Sequence, residues 1–226
     1  DRQTPVTTTP WPYPRWIAHR GAGRLAPENT LAAFRLGASH GYRLFECDVK
    51  LSQDGVPFLM HDADLRRTTD GSGSGGEQAW QRLSQLDAGS WHSRRYAGEG
   101  LPCLENIARF CRHNGHLLNI EIKPTPGTER HTGEVVARHA ARLWANAAIA
   151  PLMTSFDIAA LEGAQATAPA LPRGLLLDKA RADWLDTARQ LACVAVVCHY
   201  SLWDTDTVAA AHGAGLKVIL DWVPGH

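Results

Sequence analysis

Leu44-Phe-Glu-Cys-Asp-Val49 and Leu117-Leu-Asn-Ile-Glu-Ile122 decide the fold of this chain. Both are short, largely apolar runs without a helical period, the pattern of strands buried on both faces of a parallel sheet. Runs of the same kind occur at Arg15–His19, Pro151–Ser155, Arg173–Leu177, Val194–Cys198 and Leu216–Leu220. Helical patterns lie between them. Leu31, Phe34 and Ala38 mark one helix, with Asn29 as its N-cap and Gly41 as its stop, and Ile107 and Cys111 mark another that ends at Gly115. Val136, Ala140, Leu143 and Trp144 share a third, and Asp157 caps the helix of Ile158 and Leu161. Trp184, Leu185, Ala188 and Leu191 form the next, and Thr205–His212 the last. Strands alternating with helices this many times predict an α/β fold, a TIM-type (β/α)8 barrel.

Seven barrel strands are legible, and a closed barrel needs its last strand to pair with its first. The expectation is therefore a barrel lacking its last β/α unit. Residues 1–14 read as an N-terminal extension and residues 15–226 as a single barrel domain. Within it, Asp54–Pro102 is rich in Gly, Ser and Trp and has little periodicity, which predicts a small insertion after the second strand, at the barrel mouth.

Composition narrows the function. The 226 residues are 44% hydrophobic, enough for a sizeable core, and 23 basic residues balance 23 acidic ones. Zero formal charge argues against nucleic acid or an anionic membrane surface as a bulk partner. No apolar run approaches the ~20 residues of a membrane-spanning helix. The Thr- and Pro-rich start, Asp1 to Pro14, has no apolar core of a secretory signal. Cys47, Cys103, Cys111, Cys193 and Cys198 form no C-x-x-C pair and read as thiols of a reducing compartment. The expected location is cytoplasmic.

The chemistry lies at strand ends. Residues two apart on a strand share a face, so Glu46 and Asp48 project together, as do Glu121 and Lys123 in Asn119-Ile-Glu-Ile-Lys-Pro124. Converging carboxylates repel one another, and charge inside apolar strands costs several kcal/mol unless paired or metal-bound. A divalent cation relieves that repulsion, and an oxygen-only donor set suits Mg²⁺, Ca²⁺ or Mn²⁺ better than Zn²⁺. The competing reading is an ion-pair network at the barrel mouth. With Asp54-Gly55 as a two-residue turn, Gln53 pairs with Val56 and His61 falls opposite Asp48, on the face of the proposed ligands. Pro57 marks the returning strand as an edge. His19 ends the first strand beside Arg20 and the turn Gly21-Ala-Gly23, where backbone and substrate can approach closely. His40, His113, His131, His139 and His212 lie on helices or loops and carry no such expectation. Gly71-Ser-Gly-Ser-Gly-Gly76 reads as a loop tip, not a phosphate loop.

His19-Arg20-Gly21, Ala26-Pro27-Glu28-Asn29-Thr30, Glu46-x-Asp48-Val49-x-Leu51-Ser52-x-Asp54-Gly55, His61-Asp62 and Glu121-Ile122-Lys123 together resemble the glycerophosphodiester phosphodiesterases, bacterial cytosolic type. The resemblance extends over about Trp11 to Leu216, including Leu86-Asp-Ala-Gly-Ser-Trp91. It implies a TIM barrel that hydrolyses glycerophosphodiesters to sn-glycerol 3-phosphate and an alcohol. It implies Glu46, Asp48 and Glu121 as ligands of a divalent cation and His19 and His61 as the acid/base pair; we assign His19 as the base and His61 as the acid, an order that the sequence leaves open. Arg20, Lys123 and Glu28 are expected at the substrate phosphate. The tail, Asp221-Trp-Val-Pro-Gly-His226, departs from the family's pattern and looks more like a strand of glycogen-branching enzymes; Trp222 is expected as an aromatic wall for substrate. Alternatives are a phospholipase D-like lyase releasing a cyclic phosphate, a catalytically impaired truncated barrel, and, from the tail alone, an amylase-type glycosidase. The expected partner is a small-molecule diester.

Overall fold

The computed structural model describes residues 11–178, 182–199 and 204–221. Its parallel strands are β1 (Ile17–Ala18), β2 (Leu44–Leu51), β4 (Leu117–Ile122), β5 (Leu152–Ser155), β6 (Arg173–Leu177), β7 (Ala195–His199) and β8 (Lys217–Asp221). They are hydrogen-bonded in the order β1-β2-β4-β5-β6-β7-β8, and β3 (Pro57–Leu59) pairs antiparallel with β2 off that path. The helices are α1 (Leu31–Ser39), α2 (Trp80–Leu83), α3 (Leu104–Asn114), α4 (Glu129–Leu143), α5 (Ile158–Thr167), α6 (Trp184–Gln190) and α7 (Thr205–Gly213). This curled parallel sheet with covering helices is the TIM-type barrel that the alternation predicts, and its seven parallel strands are those read from the sequence. Among the described residues β1 and β8 do not pair, so the sheet is open between them.

Every residue of β2 is buried, its charged Glu46, Asp48 and Lys50 included. Its odd-numbered side chains face the helices. Phe45 stacks on Phe34 of α1 with ring centroids 5.0 Å apart and meets Phe110 of α3 edge-on; Cys47 is a buried thiol in the same core. The even-numbered positions, Leu44, Glu46, Asp48 and Lys50, therefore face the barrel interior. At the N-terminal end of the strands Leu44 packs with Leu152 and Tyr13, while Trp11 adds to the cluster, so the segment before β1 plugs the barrel bottom. The Tyr13 hydroxyl anchors that plug by donating to the Ala150 carbonyl at 2.7 Å. Apolar filling at the bottom leaves the charged residues of β2 at the C-terminal, open end.

Two close approaches fix the frame around that end. A Cβ added to Gly37 of α1 would collide with the Gly21 carbonyl, so α1 presses directly on the turn that carries His19 and Arg20. One added to Gly133 of α4 would collide with the Ala160 carbonyl of α5, and these two helices pack at a backbone-to-backbone distance that only glycine permits. The segment after β3 builds its own small core from Phe58, Met60, Leu65, Leu83, Ala88 and Leu101, over which Trp80 and Leu86 lie.

Two local expectations are corrected. Thr30, not Asn29, caps α1: its side chain accepts from the Ala33 amide at 3.2 Å, and Asn29 turns away in a left-handed conformation (φ 58°). The β2–β3 hairpin is also one residue out of the expected register. Leu51 pairs with Pro57, Val49 with Leu59, and the Ser52 amide donates to the Val56 carbonyl, which leaves a three-residue loop, Gln53-Asp54-Gly55. The Ser52 side chain accounts for this: its hydroxyl accepts from the Val56 amide and donates to the Asp54 carboxylate, and Gly55 takes the left-handed conformation (φ 80°) that such loops use in their third position. Asp48 therefore bonds to the Met60 amide, not across from His61.

Candidate active site

His19, Arg20 and Gly21 form a single 3₁₀ turn where β1 ends. Arg20 occupies the left-handed region (φ 51°), an unusual conformation for a side-chain-bearing residue that needs support from its surroundings. The support is visible. The Arg20 amide donates to Glu46 Oε2 at 3.1 Å, and its carbonyl accepts from the Asn29 amide at 2.9 Å. Asn29 in turn clamps Asp48: Nδ2 donates to the carboxylate at 3.0 Å and Oδ1 accepts from the Asp48 amide at 3.1 Å. Its left-handed backbone makes this double contact possible, and asparagine tolerates that conformation better than most residues.

The carboxylates of Glu46, Asp48 and Glu121 converge as the strand alternation predicts, each offering an oxygen within 4.8 Å of the others. Asp48 and Glu121 are direct register partners across β2 and β4. Burial, then Asp48 and Glu121, drive the Glu46 carboxyl well above its ordinary pKa. Burial, then Asp48, push Glu121 up to about 7, against the pull of Lys123. Glu46 Oε1 is buried without a hydrogen-bond partner. An oxygen cluster that is buried, mutually repelling and incompletely satisfied fits a hard divalent cation held by these same residues.

Cations and histidines ring the cluster. Arg20 reaches Glu28 at 3.1 Å through Nη1 and Asp48 at 3.4 Å through Nε. Lys123 Nζ lies 2.7 Å from Glu121 Oε2 and stands over the exposed Phe156 ring at 5.6 Å from its centroid. His19 Nε2 is 3.6 Å from Glu46. His61 Nε2 is 3.5 Å from Lys123 Nζ, and Nδ1 is 2.8 Å from Asp62. His61 thus borders the site as expected, by a different route: β3 ends at Leu59, so strand alternation no longer sets the direction of residue 61.

A residue that the sequence reading passed over ties these parts together. Arg67 grips Asp62 through Nε and Nη2 at 2.8 and 3.0 Å and Glu28 through Nη1 and Nη2 at 2.8 and 3.0 Å. The Arg67 hydrogen bonds, more than those of His61, hold the Asp62 carboxyl far below the usual carboxylate range. Arg67 itself lies over Trp91, 5.9 Å from the ring centroid. The chain Arg20–Glu28–Arg67–Asp62–His61 therefore links the turn after β1 to the histidine after β3. Lys50, also passed over, is buried on the interior face of β2. Trp222 lies outside the described residues.

The profile of the glycerophosphoryl diester phosphodiesterase family matches residues 19–223. The chain belongs to this family. A glycerophosphodiester phosphodiesterase of Caldanaerobacter subterraneus is 33% identical over 164 residues, covering 71% of this chain and 65% of that protein. A phosphodiesterase of Oleispira antarctica, solved in complex with the product sn-glycerol 3-phosphate, is 34% identical with a TM-score of 0.87, covering 94% of this chain and 86% of that one. A glycerophosphodiester phosphodiesterase of Agrobacterium tumefaciens is 28% identical with a TM-score of 0.77, covering 92% and 87%. The chain spans less than two thirds of the length of the curated bacterial relatives it matches, 64% and 65%. Among the described residues no helix is long and apolar enough to cross a membrane.

Proposed function

We propose that this chain is a metal-dependent phosphodiesterase that hydrolyses glycerophosphodiesters to sn-glycerol 3-phosphate and an alcohol. The observation that carries the proposal is the convergent trio Glu46, Asp48 and Glu121, with His19 beside Glu46 and His61 beside Lys123. The relative solved with the product sn-glycerol 3-phosphate supports that substrate class. Glu46, Asp48 and Glu121 would hold Mg²⁺, Ca²⁺ or Mn²⁺, which supplies Lewis-acid stabilisation of charge on the phosphoryl oxygens.

The remaining work falls to side chains. Arg20 and Lys123, both beside the carboxylates, orient the phosphate and offset its charge. Glu28 holds Arg20 in place from one side, as Asp48 does from the other. His19 takes the proton from the attacking oxygen as the new P–O bond forms; attack by water gives sn-glycerol 3-phosphate directly, and attack by the glycerol 2-hydroxyl gives a cyclic phosphate that a water then opens. His61 gives a proton to the departing alkoxide as the old P–O bond breaks. Asp62, on Nδ1, aims Nε2 toward Lys123 and the substrate.

The test is hydrolysis of glycerophosphocholine, with sn-glycerol 3-phosphate as readout, in Mg²⁺ and in EDTA. His19→Ala and His61→Ala should each lower kcat by ~10²-fold or more with thermal unfolding unchanged. An aryl diester, whose leaving group needs no proton, should restore much of the His61→Ala loss and none of the His19→Ala loss. Near-normal turnover of glycerophosphocholine by either variant would refute the assignment.

A further inference from the structure

The register of the sheet carries the interior of the site one layer higher than the carboxylates. Asp48 pairs with Glu121 and Val49 with Ile122, and the Lys123 amide then donates to the Val49 carbonyl at 2.9 Å. Continuing by one residue sets Lys50 beside Lys123. Alternation puts both on the interior face, because each follows an interior carboxylate by two positions. The site is thus stacked: a floor of carboxylates on β2 and β4, and above it a pair of lysines from the same strands.

The two lysines are not equivalent. Lys123 has its ion pair with Glu121. Lys50 is only 5% exposed, and among the described residues its ammonium makes no hydrogen bond or ion pair. The stem of Lys50 is buried while its ammonium nitrogen keeps solvent contact, and a second ammonium alongside repels it. Phe58, which pairs with Lys50 across the hairpin, is fully buried in the small core after β3, so apolar packing accounts for the stem of Lys50 and not for its charge. The electrostatics agree with this placement. Burial, then Lys123, lower the Lys50 pKa, while Asp48, Asp62 and Glu121 raise it.

We infer that Lys50 is a phosphate-binding residue of this site, and that with Lys123 it forms a two-lysine clamp whose missing counter-ion is the substrate's phosphate group. The clamp explains what the carboxylate floor cannot. A cation satisfies Glu46, Asp48 and Glu121 but leaves Lys50 alone, whereas an anion seated above that cation meets Arg20, Lys50 and Lys123 together. The inference rests on the phosphodiesterase reading, since it assigns the same site a further contact.

Calorimetric titration of inorganic phosphate and of sn-glycerol 3-phosphate into the Mg²⁺-loaded protein separates the two. Lys50→Met keeps the buried stem and removes the charge. It should weaken both anions by about tenfold or more, the loss of one charge-assisted contact, and leave Mg²⁺ binding within about twofold. Lys50→Arg should recover most of the affinity and serves in its place should the methionine variant not fold. Anion affinity within twofold of wild type in a folded, Mg²⁺-binding Lys50→Met protein overturns the clamp while leaving the phosphodiesterase reading intact. A wild-type protein that binds Mg²⁺ but neither anion overturns both.

Discussion

Raising the pH from about 5 to about 8 should destabilise the metal-free protein through Glu121, and Mg²⁺ should abolish the effect. The folded chain holds the Glu121 proton up to about pH 7, against an ordinary value of 4.5, because the carboxyl is buried and faces Asp48. Between those two values the folded state binds more protons than the unfolded state, so stability falls as pH rises. Each pH unit of full linkage is worth ~1.4 kcal/mol, which over this window makes ~3 kcal/mol an upper value for one carboxyl. His116 and His139 carry the opposite sign. Their pKa values are lowered below 6.5, chiefly by burial, so they add stability as pH rises toward that value. Glu121→Gln leaves both histidines and removes the Glu121 carboxyl together with its push on Glu46, so the difference between wild type and variant reports the carboxylate cluster. The assay is urea unfolding of both proteins at pH 5, 6, 7 and 8, in EDTA and in Mg²⁺. In EDTA the wild type should lose stability relative to the variant across this range. In saturating Mg²⁺ the wild type should gain instead, by ~3 kcal/mol at a hundredfold excess over Kd. A metal-free difference that is flat, or that rises with pH, would refute the picture of a strained carboxylate cluster.

Two further outcomes follow from the frame around the site. Arg67→Met deletes every hydrogen bond between Arg67 and the carboxylates of Asp62 and Glu28. It should lower kcat for glycerophosphocholine by about tenfold or more with a smaller change in Mg²⁺ affinity, measured by steady-state kinetics beside calorimetry; equal losses in both would contradict a role in holding His61. Gly37→Ala drives a methyl into the Gly21 carbonyl. It should cost about 1–3 kcal/mol by chemical denaturation and reduce activity beyond that, because the displaced turn carries His19 and Arg20.

The strands were legible because β2, β4 and their neighbours are covered on both faces and so are largely apolar. The carboxylate trio was legible for the converse reason: Glu46, Asp48 and Glu121 break apolar strands at positions that share a face. The hairpin register was not, because Asp54-Gly55 fits a two-residue turn equally well and only the Ser52 hydroxyl, bonded to Asp54 and to the Val56 amide, selects the longer loop. Asn29 looked like a helix cap because Thr30, the residue that does cap, follows it directly. Its signal was the tolerance of asparagine for left-handed backbone. Arg67 left no periodic trace at all. It lies in a loop, and its partner Glu28 is 39 residues away in sequence. Lys50 was hidden in plain alternation: the rule that placed Glu46 and Asp48 inside also places Lys50 there, one step further along the strand.

The central claim is that Glu46, Asp48 and Glu121 hold one divalent cation. Crystals grown with Mn²⁺ and measured near its absorption edge test it most directly. The account predicts a single strong anomalous peak within coordination distance, ~2.0–2.3 Å, of oxygens from all three carboxylates. A map with no peak there, or with Mn²⁺ bound elsewhere and the carboxylates paired to Arg20 and Lys123 alone, would contradict it.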